Sequence, residues 1–527
     1  MILKSLSIKN YCGFTKEHII DFAKPDGERI GSGLTLITGE NKTGKSTIIR
    51  ALKGKIKIMP LGEIEEYFGE DGEIKLTIDD KTYFRKRESE SWINKNSTNN
   101  KQFFEIVPAM RKPFLETREV LPFDQDPLQH STLDDNYMQL NNLSCKLIKI
   151  LNYSDSESKF YKIINKILPE FQGEFYLKSI KKEHNENGNF LTLMYKNDSL
   201  IHHTGQLVGD GILSVVMIAS SIVLSAKHKR ILIIDEPELH LHPNAQKRLA
   251  KLLSIEAKTR QIILMTHSPY FVDWYDFFNN AEFIRTSNRQ GCFTIYRLKH
   301  KSTYRDLLKN TVNHWKRPHL FDLVTKEIFF SDKVLFVEGQ EDVGLIKNWL
   351  RNEYKKNQSE KYNYSFEIFG YGVNGVDNIP KFLCMAKDLG IKKVGVLTDK
   401  LAQGNSEAIT TWKEKFNTKC NYKFQELITP DIRKKIDIEV DKLLEECIDE
   451  ENGKLRDSDT IIDDINKCIK FANSGYFDLK GQIIKCSNCE HTEPLIDITK
   501  CNSDCKHASL MKIFNEFNKY FDDKTDT

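Results

Sequence analysis

The sequence predicts an α/β protein built from two successive α/β units and a small C-terminal module. Three observations carry that expectation. Gly39-Glu-Asn-Lys-Thr-Gly-Lys-Ser-Thr47 is a phosphate-loop pattern set between an apolar strand and a helix. Ile231-Leu-Ile-Ile-Asp235-Glu236 is an apolar strand that ends in two carboxylates. From Lys333 onward, strands and helices alternate afresh at lengths that build a small parallel sheet. At 527 residues the chain exceeds what one core usually serves, and the divisions are expected at 1–315, 316–475 and 476–527.

The elements follow in order. MILKSLSIKN alternates, which puts Ile2, Leu6 and Ile8 on one face of a first strand. Leu34–Thr38 leads into the phosphate loop and a helix. Ile74–Ile78 and Thr82–Lys86 read as strands joined by a turn at Asp79–Asp80. Residues 95–135 begin polar and carry Pro108, Pro113, Pro122 and Pro127, so they read as loops and short elements. Residues 139–182 read as helical, a central insertion between the two halves of the nucleotide site. The spacing then predicts a helix over Gly211–Lys227, a strand over Arg230–Asp235, a helix over Pro243–Ala257 and a strand over Gln261–Thr266. Strands over Ala281–Thr286 and Cys292–Tyr296 close the region, and Arg317–Ser331 is expected as a linking helix. The second unit is expected to run strand Lys333–Val337, helix Asp342–Tyr354, strand Tyr364–Gly370, helix Asn378–Asp388 and strand Lys392–Thr398.

Composition excludes some classes. Lys and Arg number 78 against 75 Asp and Glu, a net charge of +3, so any nucleic-acid role needs a local basic surface. The longest apolar run, Ile212–Leu224, is broken by serines and reads as a buried helix; no run is expected to cross a bilayer. The N-terminus lacks the apolar core of a secretory signal, which implies a cytoplasmic setting in which the 11 cysteines stay reduced.

The nucleotide site is expected in two halves. Gly39 and Gly44 let the backbone wrap around phosphates, while the loop N–H groups and the helix start at Ser46 and Thr47 supply donors. Lys45 should reach the β- and γ-phosphates of ATP, and the Ser46 hydroxyl should coordinate Mg²⁺. Asn41 either bonds the phosphate side or stabilises the loop. Asp235, at the C-terminal edge of a parallel sheet, suits Mg²⁺, and Glu236 suits a general base for an attacking water. His267, at the end of the Gln261–Thr266 strand, is placed to sense or orient the γ-phosphate. His240 and His242 either join the site or pin the turn before Pro243.

These segments carry a resemblance. Asp235-Glu-Pro-Glu-Leu-His-Leu-His-Pro243, Met265-Thr-His-Ser-Pro269 and the opening Leu6–Phe14 resemble the overcoming-lysogenisation-defect (OLD) nuclease family, whose first domain is an ABC-type ATPase. Val208-Gly-Asp-Gly211 is similar to the ABC-type signature, with Gly209 where a serine is common. The resemblance implies that Gly209 and Gly211 of one subunit complete the ATP site of another, hence a homodimer or higher homo-oligomer.

In the second unit, Val334-Leu-Phe-Val-Glu338-Gly339 puts a carboxylate at a strand end, with Asp342 near the next helix start, and Val394-Gly-Val-Leu-Thr-Asp399 delivers another. Oxygen ligands of this kind suit Mg²⁺ or Mn²⁺. The set resembles the Toprim domain of OLD proteins, including Gabija A-type nucleases, which implies that Glu338, Asp342 and Asp399 bind metal for phosphodiester cleavage. Leu401 stands where the second Asp of the Asp-x-Asp motif belongs, and Asp437 or Glu439 is the candidate downstream ligand. A late family lysine has candidates in Lys500, Lys506 and Lys512. Cys486-x-x-Cys489 and Cys501-x-x-x-Cys505 suit a structural Zn²⁺ site, with His491 and His507 as substitutes for one cysteine.

The leading expectation is an ATP-regulated, metal-dependent DNA endonuclease of bacterial antiphage defence. The resemblance extends to retron-associated effectors, so a defence-system partner, including a reverse transcriptase with its small DNA product, belongs to the expectation. The alternative is a non-nucleolytic ATP-dependent DNA-binding or sensor protein with a degenerate Toprim domain, which Leu401 keeps open. An SMC- or RecF-like repair ATPase is disfavoured, because the central segment is too short for a long coiled coil.

Overall fold

Alternating apolar residues at the N-terminus form β1 (Leu3–Tyr11), which pairs antiparallel with β2 (His18–Asp21) on one side and β4 (Phe68–Ile78) on the other. Successive hairpins add β5 (Lys81–Lys86), β6 (Ile93–Asn94) and β7 (Ser97–Thr98). Leu3, Leu6 and Ile8 are fully buried, whereas Ile2, expected on that face, is half-exposed. A register shift between Leu3 and Ser5 is the reason: the bulge breaks strict alternation and turns Leu3 inward in place of Ile2.

The computed structural model describes residues 1–53, 68–86, 93–94, 97–98, 103–109, 116–118, 146–147, 150, 154–171, 173–181, 189–197, 202–204, 208–300, 326–339, 342–343, 346–347, 366–370, 378–400, 422–430, 516–517 and 519–522. They fall into two compact units, Met1–Lys301 and Ser302–Thr527.

The first unit is organised by a six-stranded sheet. Its centre is three adjacent parallel strands, β3 (Leu34–Thr38), β14 (Ile262–Met265) and β13 (Ile231–Asp235). β15 (Glu282–Arg289) lies parallel to β3 and returns through a hairpin to β16 (Cys292–Arg297). β8 (Phe104–Val107) pairs parallel with β13 at the opposite edge, inside the stretch expected to hold loops and short elements. Four residues with a charged Glu105 among them carry little periodic signal. β13 and β14 are nearly continuous apolar runs and β3 is buried along its whole length, as expected where both sheet faces are covered.

The helices of this unit are α1 (Lys45–Lys53), α2 (Ser154–Ile167), α3 (Asp210–Lys227), α4 (Pro243–Glu256) and α5 (Trp274–Phe278). By length and composition α3 could cross a membrane, contrary to the expectation that no run is long enough. Leu213–Ser225 is buried throughout, and α3 packs on α2, β8 and β13. Each fully buried Val, Leu or Ile there contributes about 1.5–3 kcal/mol. Two of its serines are satisfied within the helix, Ser220 by Met217 O (2.8 Å) and Ser225 by Ile222 O (3.1 Å).

The helix expected over 139–182 is corrected in its second part. Pro169 cannot continue α2, and Gly173–Lys181 is instead strand β10. It pairs with β11 (Asn189–Asn197), which also pairs with β12 (His202–Thr204) and with β9 (Glu116–Arg118).

The second unit holds a wholly parallel sheet in the order β18 (Glu367–Phe369), β17 (Lys333–Phe336), β19 (Lys393–Lys400), β20 (Lys423–Pro430). Helix α6 (Ile379–Asp388) sets Phe382 against Phe336 and Phe369. The C-terminal segment docks on this sheet too: Lys393 Nζ donates to Tyr520 O (2.8 Å), Val394 N–H to Tyr520 Oη (3.2 Å), and Gly395 leaves room for Phe517. Of the expected linking helix, Glu327–Phe329 forms a 3₁₀ turn and the part before 326 lies outside the described residues, as does most of Asp342–Tyr354.

Candidate functional site

Strand register brings the two halves of the nucleotide site together. Ile37 lies opposite Met265 and Met265 opposite Asp235, so three strands end on one row. Glu236 N–H bonds Met265 O (2.7 Å) and Thr266 N–H bonds Ile37 O (3.1 Å), which carries the pairing past the strand ends. The phosphate loop, Glu236 and His267 therefore leave the same sheet edge.

The loop needs its glycines. Gly39 has φ +139° and faces the Thr286 carbonyl so closely that a Cβ would collide with it. Gly44 has φ +98°, and a Cβ there would stand 2.7 Å from the Phe293 ring. The β15–β16 hairpin braces the loop further: Thr43 Oγ1 and Thr286 Oγ1 are 2.7 Å apart, and Asn288 Nδ2 donates to Lys42 O (3.0 Å). Thr286, Asn288 and Phe293 were not legible as site residues, because no local motif marks them. Asn41 and Ser46 are exposed on the loop and helix start, and Thr47 is buried.

Lys45 is buried and donates to Gly39 O (2.8 Å) and Glu40 O (2.6 Å). Burial lowers its pKa to about 8, against the opposing pull of Glu236, Asp235, Glu238 and Glu40. An added phosphate anion would favour the ammonium form. Glu236 holds φ +47°, a left-handed conformation that costs on the order of 1–3 kcal/mol in a non-glycine residue. His267 Nε2 lies 3.7 Å from Glu236 Oε1. Burial, then Lys45, lowers the His267 pKa, while Glu236 raises it; the balance favours a neutral imidazole at neutral pH. Ser46 and Asp235 offer the oxygen donors that Mg²⁺ takes.

His242 acts locally: its Nδ1 accepts from Asn244 N–H (3.3 Å) and caps α4. Gly209 is the N-cap residue of α3 with open space where a Cβ would stand. Gly211 packs 2.7 Å (ideal Cβ position) from the His240 carbonyl, on the turn after β13.

In the second unit, Glu338 follows β17 and is 4% exposed, and Asp342 is 8% exposed. Asp342 Oδ2 accepts from Gly339 N–H (3.1 Å), which closes the turn. Gly370, after β18, abuts Gly339 O too closely for any side chain, a further residue sequence reading missed. Asp399 lies on β19, and the pairing of Phe336 with Val396 brings Glu338 and Thr398 to the same edge. Thr398 Oγ1 is buried with no hydrogen-bond partner among the described residues. Buried carboxylates at a parallel-sheet edge are the oxygen ligands a hard divalent cation takes. Among the described residues no three His, Cys, Asp or Glu side chains converge on a metal position. The side chain of Asp399 lies outside the described residues, as do Leu401, Asp437, Glu439, Lys500, Lys506, Lys512, His491, His507 and the four cysteines Cys486, Cys489, Cys501 and Cys505.

Comparison with known proteins finds the same two kinds of domain. The model "Overcoming lysogenization defect protein-like, TOPRIM domain" matches residues 329–400. An "AAA domain, putative AbiEii toxin, Type IV TA system" model matches residues 78–273, and a second AAA-domain model matches 1–57. The OLD nuclease of Thermus scotoductus is 27% identical over 219 residues, 40% of this chain and 40% of that protein. The Old nuclease of Escherichia phage P2 is 28% identical over 202 residues, 37% of this chain and 32% of that one. The matched regions are similar to OLD nucleases, an AAA-type ATPase segment followed by an OLD-like Toprim segment. The chain spans well under half the length of those two OLD nucleases in the matched regions. Among solved structures, an SMC head bound to the C-terminal winged-helix domain of ScpA is 17% identical, with a TM-score of 0.40, covering 58% of this chain and 100% of that one.

Proposed function

We propose that this chain is a nucleotide-regulated, divalent-metal-dependent DNA endonuclease. The observation that carries the reading is the convergence of Lys45, Asp235, Glu236 and His267 on one sheet edge in a chain that also has an OLD-like Toprim domain. In this reading Lys45 holds the β- and γ-phosphates, Ser46 and Asp235 hold Mg²⁺, and His267 contacts the γ-phosphate. Glu236 takes a proton from water as its oxygen attacks γ-phosphorus; the bond to the β,γ-bridging oxygen breaks, and ADP and phosphate leave. Gly209 and Gly211 of a second copy complete the site, so the active form is a homodimer or higher oligomer.

Glu338, Asp342 and Asp399, with Asp437 or Glu439, would hold Mg²⁺ or Mn²⁺ in the second unit, and a divalent ion there would supply water activation and charge stabilisation for cleavage of a DNA phosphodiester. Four cysteines hold a structural Zn²⁺, and the chain serves antiphage defence in the cytoplasm with a protein or nucleic-acid trigger. The test is cleavage of plasmid and single-stranded DNA with Mg²⁺ or Mn²⁺, with and without ATP. Wild-type cleavage that vanishes in Glu338→Gln supports the reading; cleavage unchanged in that variant and in Asp399→Asn rejects it. Leu401 favours the second reading, an ATP-dependent DNA-binding or sensor protein without cleavage. DNA binding with no cleavage under any metal would decide for it.

A further inference from the structure

We propose that Glu238 is a positioning residue whose carboxylate fixes His267 against Glu236 and so sets the geometry of the water-activating edge. The inference rests on the nucleotide-site reading and deepens it. Glu238 sits on the turn that leaves β13 and is partly buried. Its two oxygens are divided between two donors of the neighbouring turn. Oε2 accepts from Thr266 Oγ1 at 2.7 Å, and Oε1 accepts from the His267 backbone N–H at 2.7 Å. Hydrogen bonds to an ionised carboxylate are shorter and stronger than neutral ones, which suits a brace.

The brace belongs to a closed ring. Thr266 Oγ1 accepts from Ser268 N–H (2.9 Å), and Ser268 Oγ donates to Gln246 Oε1 (2.7 Å). Gln246 Nε2 donates to Leu241 O (2.9 Å), and Leu241 N–H returns to Glu238 O (3.0 Å). The turn after β13, the start of α4 and the turn after β14 are thereby locked as one body. The 3.7 Å approach of His267 Nε2 to Glu236 Oε1 depends on where that body holds the two strand ends. Glu238 also adds negative potential at Lys45, so geometry and charge have to be separated by experiment.

Glu238→Gln separates them. Its amide oxygen still accepts from His267 N–H, and its amide nitrogen donates to Thr266 Oγ1, so the ring survives without the charge. Glu238→Ala removes both. The expected result is ATPase kcat in Glu238→Gln within about threefold of wild type, and a loss on the order of 100-fold in Glu238→Ala with a smaller change in KM. Thr266→Val removes one of the two Glu238 bonds together with the bond from Ser268 N–H; its kcat should be intermediate, and its combination with Glu238→Ala should lose less than the product of the two single losses. The backbone amide of His267, followed in ¹⁵N-histidine-labelled protein, should keep its resonance in Glu238→Gln and move upfield in Glu238→Ala. Equal losses in the Gln and Ala variants, or wild-type kcat in Glu238→Ala, overturn the proposal while leaving the nucleotide reading intact. A wild-type protein without ATPase activity overturns the nucleotide reading instead, and the His267 resonance then decides on Glu238 alone.

Discussion

Lys45 is held by two carbonyl oxygens of its own loop in a buried position, and that arrangement has an energetic cost. Its pKa falls from 10.5 to about 8, so the folded state binds fewer protons than the unfolded chain between those values. Stability of the nucleotide-free protein should therefore rise as pH increases from about 8 to 10.5, and the penalty is complete below about 8. At pH 7 it amounts to about 3 kcal/mol. Lys45→Met should thus raise nucleotide-free stability, flatten the alkaline slope and abolish ATP binding. Urea unfolding at pH 7 and pH 10 checks the first two, and a binding titration the third. Glu236→Gln should behave differently: ATP affinity stays close to wild type, while turnover drops about 10²–10⁴-fold, because only water activation is removed. Equal turnover in both proteins would reject Glu236 as the base. Lys45, Asp235, Glu236 and His267 were legible because each belongs to a motif at a strand end. Glu238 stands inside the same motif, yet its bonds to the Thr266–His267 turn depend on two segments 28 residues apart meeting in space.

At the scale of elements, β8 is a four-residue edge strand that its own sequence hardly specifies. It is anchored by a buried ion pair: Lys146 Nζ lies 2.6 Å from Glu105 Oε1 and also donates to Ser221 Oγ of α3 at 2.6 Å. Arg230, just before β13, approaches Glu105 at 3.5 Å. Both members of the main pair are nearly inaccessible, so Glu105→Gln strands an ammonium in the core and should destabilise the first unit by on the order of 3–5 kcal/mol. Replacing Glu105 and Lys146 together by Leu and Met should cost less, since the buried ammonium leaves with its partner and only the more exposed Arg230 loses its carboxylate. Chemical denaturation of the single and double variants measures the difference. The strands of β3, β13 and β14 were legible as apolar runs with functional ends. The end of α2 was marked by Pro169, but an aromatic-rich segment after it can satisfy either period, and only its pairing with β11 makes Gly173–Lys181 a strand. Local pattern likewise could not foresee the bulge that exchanges Ile2 for Leu3 in the core.

For the whole molecule, the proposed function assigns separate chemistries to the two units and so predicts separable losses. Neutralising Glu338 should abolish DNA cleavage and leave ATP affinity within about twofold, because phosphate binding resides in another unit with its own core. Nuclease assays paired with nucleotide titrations on the same preparation test this, and joint loss of both activities would count against independent sites. The sequence by itself determined the α/β class, the existence of a phosphate loop and acidic strand ends, and the resemblance to OLD nucleases, because those are local patterns of residue type and spacing. Tertiary structure alone decided that β3, β14 and β13 are neighbours. It likewise decided that the β15–β16 hairpin clamps the phosphate loop through Thr286 and Phe293, and that Glu238 reaches the turn bearing His267. The physical reason is that hydrogen bonds and close packing act between atoms near in space, whatever the number of residues that separates them along the chain.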